Sequence, residues 1–180
     1  MQEGVKLSGE QRREQILDWL KEASAPITGT ELAKKACVSR QIIVQDISLL
    51  KAKNEPIVAT SQGYMYLHST ARVKKTYEKK IACSHLPEET EIELDMIVDF
   101  GVTVKDVIIE HPVYGDLTAA IHVSTRKEVG DFIKKVESTN ASYLLELTGG
   151  IHIHTIVSDD ESKLNEVENA LYKAGILVKD

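Results

Sequence analysis

Apolar positions in the first fifty residues recur at helical spacing. Ile16, Leu17 and Leu20 form one stripe, which Trp19 and Ala23 extend, so a helix is predicted over 11–23. The run Ala25-Pro26-Ile27-Thr28-Gly29 stops it, and a short helix follows from Thr30 with Leu32, Ala33 and Ala36 on its inner side. Cys37-Val38-Ser39 turns the chain. Cys37 is expected as a small buried residue, Ser39 as an N-cap and Val38 as the apolar residue before it. The next helix buries Ile43, Ile47 and Leu50 beside Ile42, and turns Arg40, Gln41, Val44, Gln45 and Ser48 outward. Two short apolar runs, 57–59 and 64–67, flank Thr60-Ser61-Gln62-Gly63 and predict a hairpin.

Beyond residue 70 the pattern changes. Ser69 and Thr70 are expected to cap a helix over 71–81, whose basic residues read chiefly as a solvated face. A second helix is predicted over 87–100, with Glu88, Glu89 and Glu91 where the helix dipole favours acids, and Gly101 ends it. The β-branched run 102–113 pairs across Tyr114-Gly115-Asp116 with 117–123. Ser124 is expected to cap a helix holding Val129, Phe132, Ile133 and Val136. A strand at 144–147, a Gly-Gly turn, a strand at 151–157, a helix capped by a Ser158–Glu161 box and a last strand at 176–178 complete the order. Sliding the sequence by 34 places Gly115 on Gly149, and Thr118 and Ala120 on His152 and His154, a weak strand-turn-strand-helix repeat. The predicted fold class is α+β. Residues 1–70 form a winged helix-turn-helix, and 71–180 form an antiparallel sheet with helices packed on one face.

Charge sharpens the division. The chain of 180 residues carries a net charge of −6, yet residues 1–70 hold nine basic against eight acidic side chains and 71–180 hold thirteen against twenty. Within 32–53, Lys34, Lys35, Arg40, Lys51 and Lys53 face one acid, Asp46. Attraction to phosphate is screened beyond about 8–10 Å at physiological salt, so this local surface matters more than the total. The two cysteines, Cys37 and Cys83, make no disulfide framework. No apolar run reaches membrane-spanning length and residues 1–4 have no signal-peptide character, so a cytoplasmic protein without a membrane partner is expected.

Two helices joined by a turn, the second offering Arg and Gln from its first turns, is the arrangement that enters the major groove, where Arg pairs with guanine and Gln with adenine. Ser39, Arg40, Gln41, Val44 and Gln45 are the candidate DNA-reading residues. The stretch 32–47, with its Val-Ser-Arg-Gln turn and Gln-Asp-Ile sequel, resembles the winged helix-turn-helix of biotin-repressor-like regulators.

Candidate chemistry in the second half centres on Gly149-Gly150-Ile151-His152-Ile153-His154-Thr155. Successive side chains alternate across a strand, so His152 and His154 share a face and make half of a metal site. Sequence spacing alone brings no further ligand to them. Residues 71–180, through Glu110-His111-Pro112-Val113-Tyr114-Gly115 and the Gly-Gly-Ile-His-Ile-His-Thr-Ile stretch, resemble the three-histidine regulatory domain of niacin-responsive repressors of NAD biosynthesis. That resemblance implies one divalent transition metal per chain (nickel, zinc or iron) held by His85, Glu93, His152 and His154. It also implies nicotinic acid as co-repressor, a homodimer, and double-stranded operator DNA as partner. His111 and Tyr114 are the candidate ligand contacts; alternatively, His111 serves the backbone of the adjacent turn. His122 and His68 have structural readings only. Two rival readings accompany this one: a metal-responsive regulator without an organic ligand, and a metal-dependent hydrolase.

Overall fold

The structure, a computed structural model, describes residues 8–67 and 76–178. The chain divides into two compact units, Met1–Ala71 and Arg72–Asp180, each with its own apolar core.

In the first unit α1 spans Gly9–Glu22, α2 Gly29–Lys35 and α3 Arg40–Ala52, followed by the antiparallel strands β1, Ile57–Thr60, and β2, Gly63–Tyr66. Side chains begin all three helices: Ser8 and Thr28 form capping boxes with Gln11 and Glu31, and Ser39 Oγ accepts the Ile42 N–H. Ile16, Leu20, Leu32, Ile43, Ile47 and Leu50, the inner set that the helical spacing selected, make the core with Ile57 of β1. Ile27 and Tyr64 exchange backbone hydrogen bonds of 2.8 Å, tying the wing to the segment before α2. Gly63 makes that approach possible, since a Cβ there would lie 2.5 Å from the Ile27 carbonyl oxygen. Cys37 is exposed rather than buried. It adopts a left-handed backbone, φ 52°, in the tight turn after α2, which leaves its side chain outside the core.

The second unit runs β3 (Tyr77–Ser84), a 3₁₀ turn (Pro87–Glu89), α4 (Thr90–Asp99), β4 (Thr103–His111) and β5 (Gly115–Val123). It continues with α5 (Arg126–Thr139), a second 3₁₀ turn (Leu144–Thr148), β6 (Ile151–Ser158) and α6 (Glu161–Ala174). The strands form one antiparallel sheet in the order β3-β6-β4-β5. Ile81, Val104, Val123 and Ile156 on one face pack with Leu94 and Ile97 of α4, Val129 and Ile133 of α5, and Leu164, Val167 and Leu171 of α6.

Several local expectations are corrected. The helix predicted over 71–81 is a strand from Tyr77 onward: Tyr77, Lys79, Ile81 and Cys83 alternate with exposed residues at period two. Its predicted cap at Ser69-Thr70 and residues 71–75, like His68, lie outside the described residues. The strand predicted at 144–147 is a 3₁₀ turn that buries Leu145 and ends at Gly149 in the left-handed region. The caps of α5 and α6 are Thr125 and Asp160, each one or two residues after the serine expected; Ser158 instead accepts the Asp160 N–H. The last strand contracts to a bridge between Cys83 and Leu177. The repeat is partial as well. β6 lies between β3 and β4, whereas β5 pairs with β4 alone, so positions 118 and 120 are not the counterparts of 152 and 154.

Candidate metal centre and DNA-reading helix

The β3–β6 register sets Cys83 opposite His152 and Ile81 opposite His154, which turns both histidines of β6 to the helix-covered face. His85 follows the end of β3, and its N–H reaches the Gly150 carbonyl at 3.4 Å. Glu93, in the first turn of α4, is fully buried above this face. The four side chains meet: the Nε2 atoms of His85, His152 and His154 lie 2.7, 3.2 and 3.2 Å from Glu93 Oε2. No histidine of the set is more than 7% exposed.

The other nitrogen of each ring decides the chemistry. Nδ1 of His85 is 2.8 Å from the Leu86 carbonyl, that of His152 is 2.9 Å from Gly150, and that of His154 is 2.8 Å from Asp106. A carbonyl only accepts, so each Nδ1 carries a proton and donates it. Every neutral ring therefore aims an Nε2 lone pair at the carboxylate, and only a cation, either a proton on nitrogen or a metal ion, makes that convergence favourable. Burial alone would lower the His85 and His154 pKa values, but hydrogen bonding and charge from Glu93 outweigh it and raise both. Burial would raise the Glu93 pKa, yet the His154 charge and the hydrogen bonds of all three histidines hold it well below its usual range.

Protons leave the set incomplete, because three rings crowd one carboxylate oxygen while Oε1 of Glu93 is buried with no hydrogen-bond partner. The two 3.2 Å separations, from Glu93 Oε2 to His152 and His154, match those of ligands around an ion, whereas His85 at 2.7 Å sits at hydrogen-bond distance. Donors about 2.1 Å from a metal sit roughly 3.0–3.4 Å from their neighbours in octahedral or tetrahedral geometry. Backbone carbonyls fixing Nδ1 and leaving Nε2 to a metal is the usual outer support of metal-bound histidine. The residues fit a borderline divalent ion.

Local backbone builds this arrangement. Gly150 has φ 103°, and a Cβ on it would lie 2.5 Å from the His85 carbonyl oxygen. Only glycine lets β6 begin beneath His85. An irregularity between Val104 and Asp106 shifts the pairing of β4 with both neighbours, and His122, opposite it on β5, has φ 59°. Asp106 then clasps β6 twice, its carbonyl on the His154 ring and its Oδ1 on the Thr155 N–H. These supports were missed from sequence; the Gly-Gly pair was legible only as a turn, and nothing in the pattern marked the irregularity.

His111 and Tyr114 lie apart from this centre's bonding network. Their rings are 4.9 Å apart, Tyr114 is 74% exposed, and His111 Nδ1 accepts the N–H groups of Val113 and Tyr114 at 3.2 and 3.3 Å. His111 thus serves the turn. Alternation from Val107, which pairs with His154, nevertheless puts it on the histidine-bearing face of the sheet.

In the first unit Ser39, Arg40, Gln41, Val44 and Gln45 are all exposed at the start of α3. Asp46, the one acid of the basic stretch, turns inward: it is buried, with Arg12 Nε at 2.6 Å and Arg13 Nη1 at 3.4 Å. The basic residues Lys34, Lys35, Arg40, Lys51 and Lys53 remain exposed. Asp46 therefore anchors α3 to α1 and leaves the outer face of α3 without an acid. Its place one residue before Ile47 in the buried stripe was the available signal.

Comparison with known proteins completes the picture. Residues 12–65 match an HTH domain family and residues 78–180 match the 3H domain family. The chain is 63% identical over 180 residues, all of both chains, to Transcription repressor NadR of Bacillus subtilis. It is 38% identical over 176 residues, 98% of each chain, to Probable transcription repressor NiaR of Thermotoga maritima. Among the described residues no helix is long and apolar enough to cross a membrane.

Proposed function

The chain belongs to the family of transcription repressors that join an HTH domain to a 3H domain, regulators rather than enzymes. From that premise we propose that it represses genes of NAD biosynthesis and niacin uptake, with nicotinic acid as co-repressor sensed at a divalent transition metal. The observation that carries this reading is the convergence of three backbone-pinned imidazoles on a buried carboxylate whose second oxygen is unpartnered. His85, Glu93, His152 and His154 hold the ion; nickel, zinc and iron(II) all suit three nitrogens and an oxygen. A bound ion supplies open positions for the ring nitrogen or carboxylate of nicotinate. His111 donates through Nε2–H to the nicotinate carboxylate, since its Nδ1 is occupied as an acceptor, and Tyr114 flanks the ligand beside that ring.

Arg40, Gln41, Val44 and Gln45 read base edges in the major groove of operator DNA, with Ser39 and the surrounding lysines on phosphates. The protein works in the cytoplasm as a homodimer, whose two α3 helices must match half-sites about 34–36 Å apart. Nicotinate acts by binding more tightly to the form with the correct spacing, and the coupling is reciprocal.

Fluorescence anisotropy on duplexes from upstream of NAD-synthesis genes, at fixed salt, tests the proposal. Metal-loaded protein is expected to bind about tenfold or more tightly with nicotinic acid, a coupling of about 1.4 kcal/mol or more, and a chelator is expected to abolish the gain. Binding that follows metal but ignores nicotinate would establish a metal sensor instead.

A further inference from the structure

The buried centre contains a donor beyond the three histidines and Glu93. Cys83 is fully buried, sits opposite His152 in the sheet and lies two residues before His85. Its Sγ, a Glu93 carboxylate oxygen and a His152 ring nitrogen all lie within 4.8 Å of one another. The Glu93 carboxylate also retains its unpartnered oxygen there.

We propose that Cys83 is a fifth protein donor, giving the ion a thiolate in addition to three imidazoles and a carboxylate. This rests on the metal-binding reading above and assigns it a ligand. Metal–sulfur bonds of about 2.3 Å and metal–oxygen or –nitrogen bonds of about 2.0–2.2 Å put donors on opposite sides of one ion about 4.4 Å apart, and adjacent ones closer. The Cys83, Glu93 and His152 atoms lie within 4.8 Å of one another, close to that span, so a small side-chain adjustment brings Sγ to an ion held beside Glu93 and His152. As the sulfur–metal bond forms, the thiol proton leaves to bulk water. Two consequences follow for selectivity. A soft donor favours zinc, nickel or cobalt over manganese and iron(II), and five protein donors leave a six-coordinate ion a single open position. Nicotinate would then bind through one atom, with its other polar end held by the protein.

Cobalt(II) reports both parts of the claim. The full-length chain carrying Cys37→Ser, which removes the exposed thiol, is titrated anaerobically and followed by absorption. Visible d–d bands report a bound ion. A near-ultraviolet sulfur-to-cobalt charge-transfer band growing with them to one equivalent is expected, and reports thiolate coordination. Adding Cys83→Ser is expected to remove that band, keep the d–d bands, and lower the preference for zinc over manganese by roughly tenfold. Saturating d–d bands without charge transfer in the Cys37→Ser protein would overturn the proposal while leaving the four-ligand centre standing. Absence of both bands would overturn the centre and the fifth donor together. The Cys37→Ser protein alone decides between these results, even where Cys83→Ser fails to fold.

Discussion

Each unit buries a carboxylate, and the two are treated differently. Asp46 in the first unit meets two guanidinium groups, Arg12 and Arg13, on the neighbouring helix. Its charge is balanced by permanently charged partners that the sequence itself provides. Glu93 in the second unit meets three imidazoles, which carry charge only when protonated, and keeps one oxygen unpartnered. One centre pairs its carboxylate with fixed positive charges; the other leaves a carboxylate oxygen without a hydrogen-bond partner. The first therefore serves as scaffolding that fixes α3, and the second, on the proposed reading, as a receptor whose energy would depend on what fills it.

The largest test removes the metal. Calorimetry is expected to show the second unit stabilised by about 4 kcal/mol when free metal stands a thousandfold above its dissociation constant. The first unit's transition is expected to be unmoved. Proton competition gives this effect a pH dependence. The raised values of His85 and His154 stabilise the metal-free unit below the ordinary imidazole value of 6.5, and that stability is lost as pH rises through the folded values. The depressed value of Glu93 stabilises it above the ordinary 4.5, and that stability is lost as pH falls through the folded value. Metal-free protein is thus most stable between these limits, and the gain from metal is expected to grow from pH 6 to pH 8, about where free imidazole loses its proton. A gain independent of pH would mean that the ion binds elsewhere.

A smaller effect comes from Gly150→Ala. The new methyl would meet the His85 carbonyl oxygen at 2.5 Å on a backbone that disfavours side chains. A loss of roughly 2–4 kcal/mol in the second unit alone is expected from denaturant titration, with weaker metal retention. Smaller still is Arg12→Ala, because Arg13 remains beside Asp46. It is expected to cost the first unit about 1–3 kcal/mol and to weaken DNA binding, while metal affinity measured by competition stays unchanged. An effect of that variant on metal affinity would break the separation of the two centres.

The same contrast explains what could be read from the chain. The first unit is built from local signals, namely helical stripes, the cap at Ser39 and a glycine-bearing hairpin, which folded as predicted, while the Thr28 cap that begins α2 was read only as part of the preceding break. Its one important omission, the role of Asp46, is a contact 34 residues away in sequence. The second unit depends more on distant pairing. β3 was misread because Lys79 and Lys80 hid its alternation, and Lys79 is in fact bound by Asn165 and Glu168 of α6. Strand alternation was enough to put His152 and His154 together. His85 and Glu93 came from family resemblance, since 59 residues separate Glu93 from His152 and no periodicity spans that interval. Gly150, Asp106 and the irregularity beside Lys105 were invisible for the same reason: each matters through a neighbour on another strand.

The place of β6 in the sheet bears on the order in which the molecule comes together. Among the described strands β3 pairs with β6, which enters between β3 and β4 although it is the last of them to be made, and a bridge to Leu177 lies on the other edge of β3. Until it arrives, His85 and Glu93 have a half-built pocket, and closing the intervening chain is among the slower, entropically costly steps of folding. On the proposed reading, an ion that needs all three imidazoles can act only after that insertion. Its effect falls on the rate at which β6 is released rather than the rate at which it docks. On the proposed reading, a bound ion would act as a latch on the last strand of the second unit.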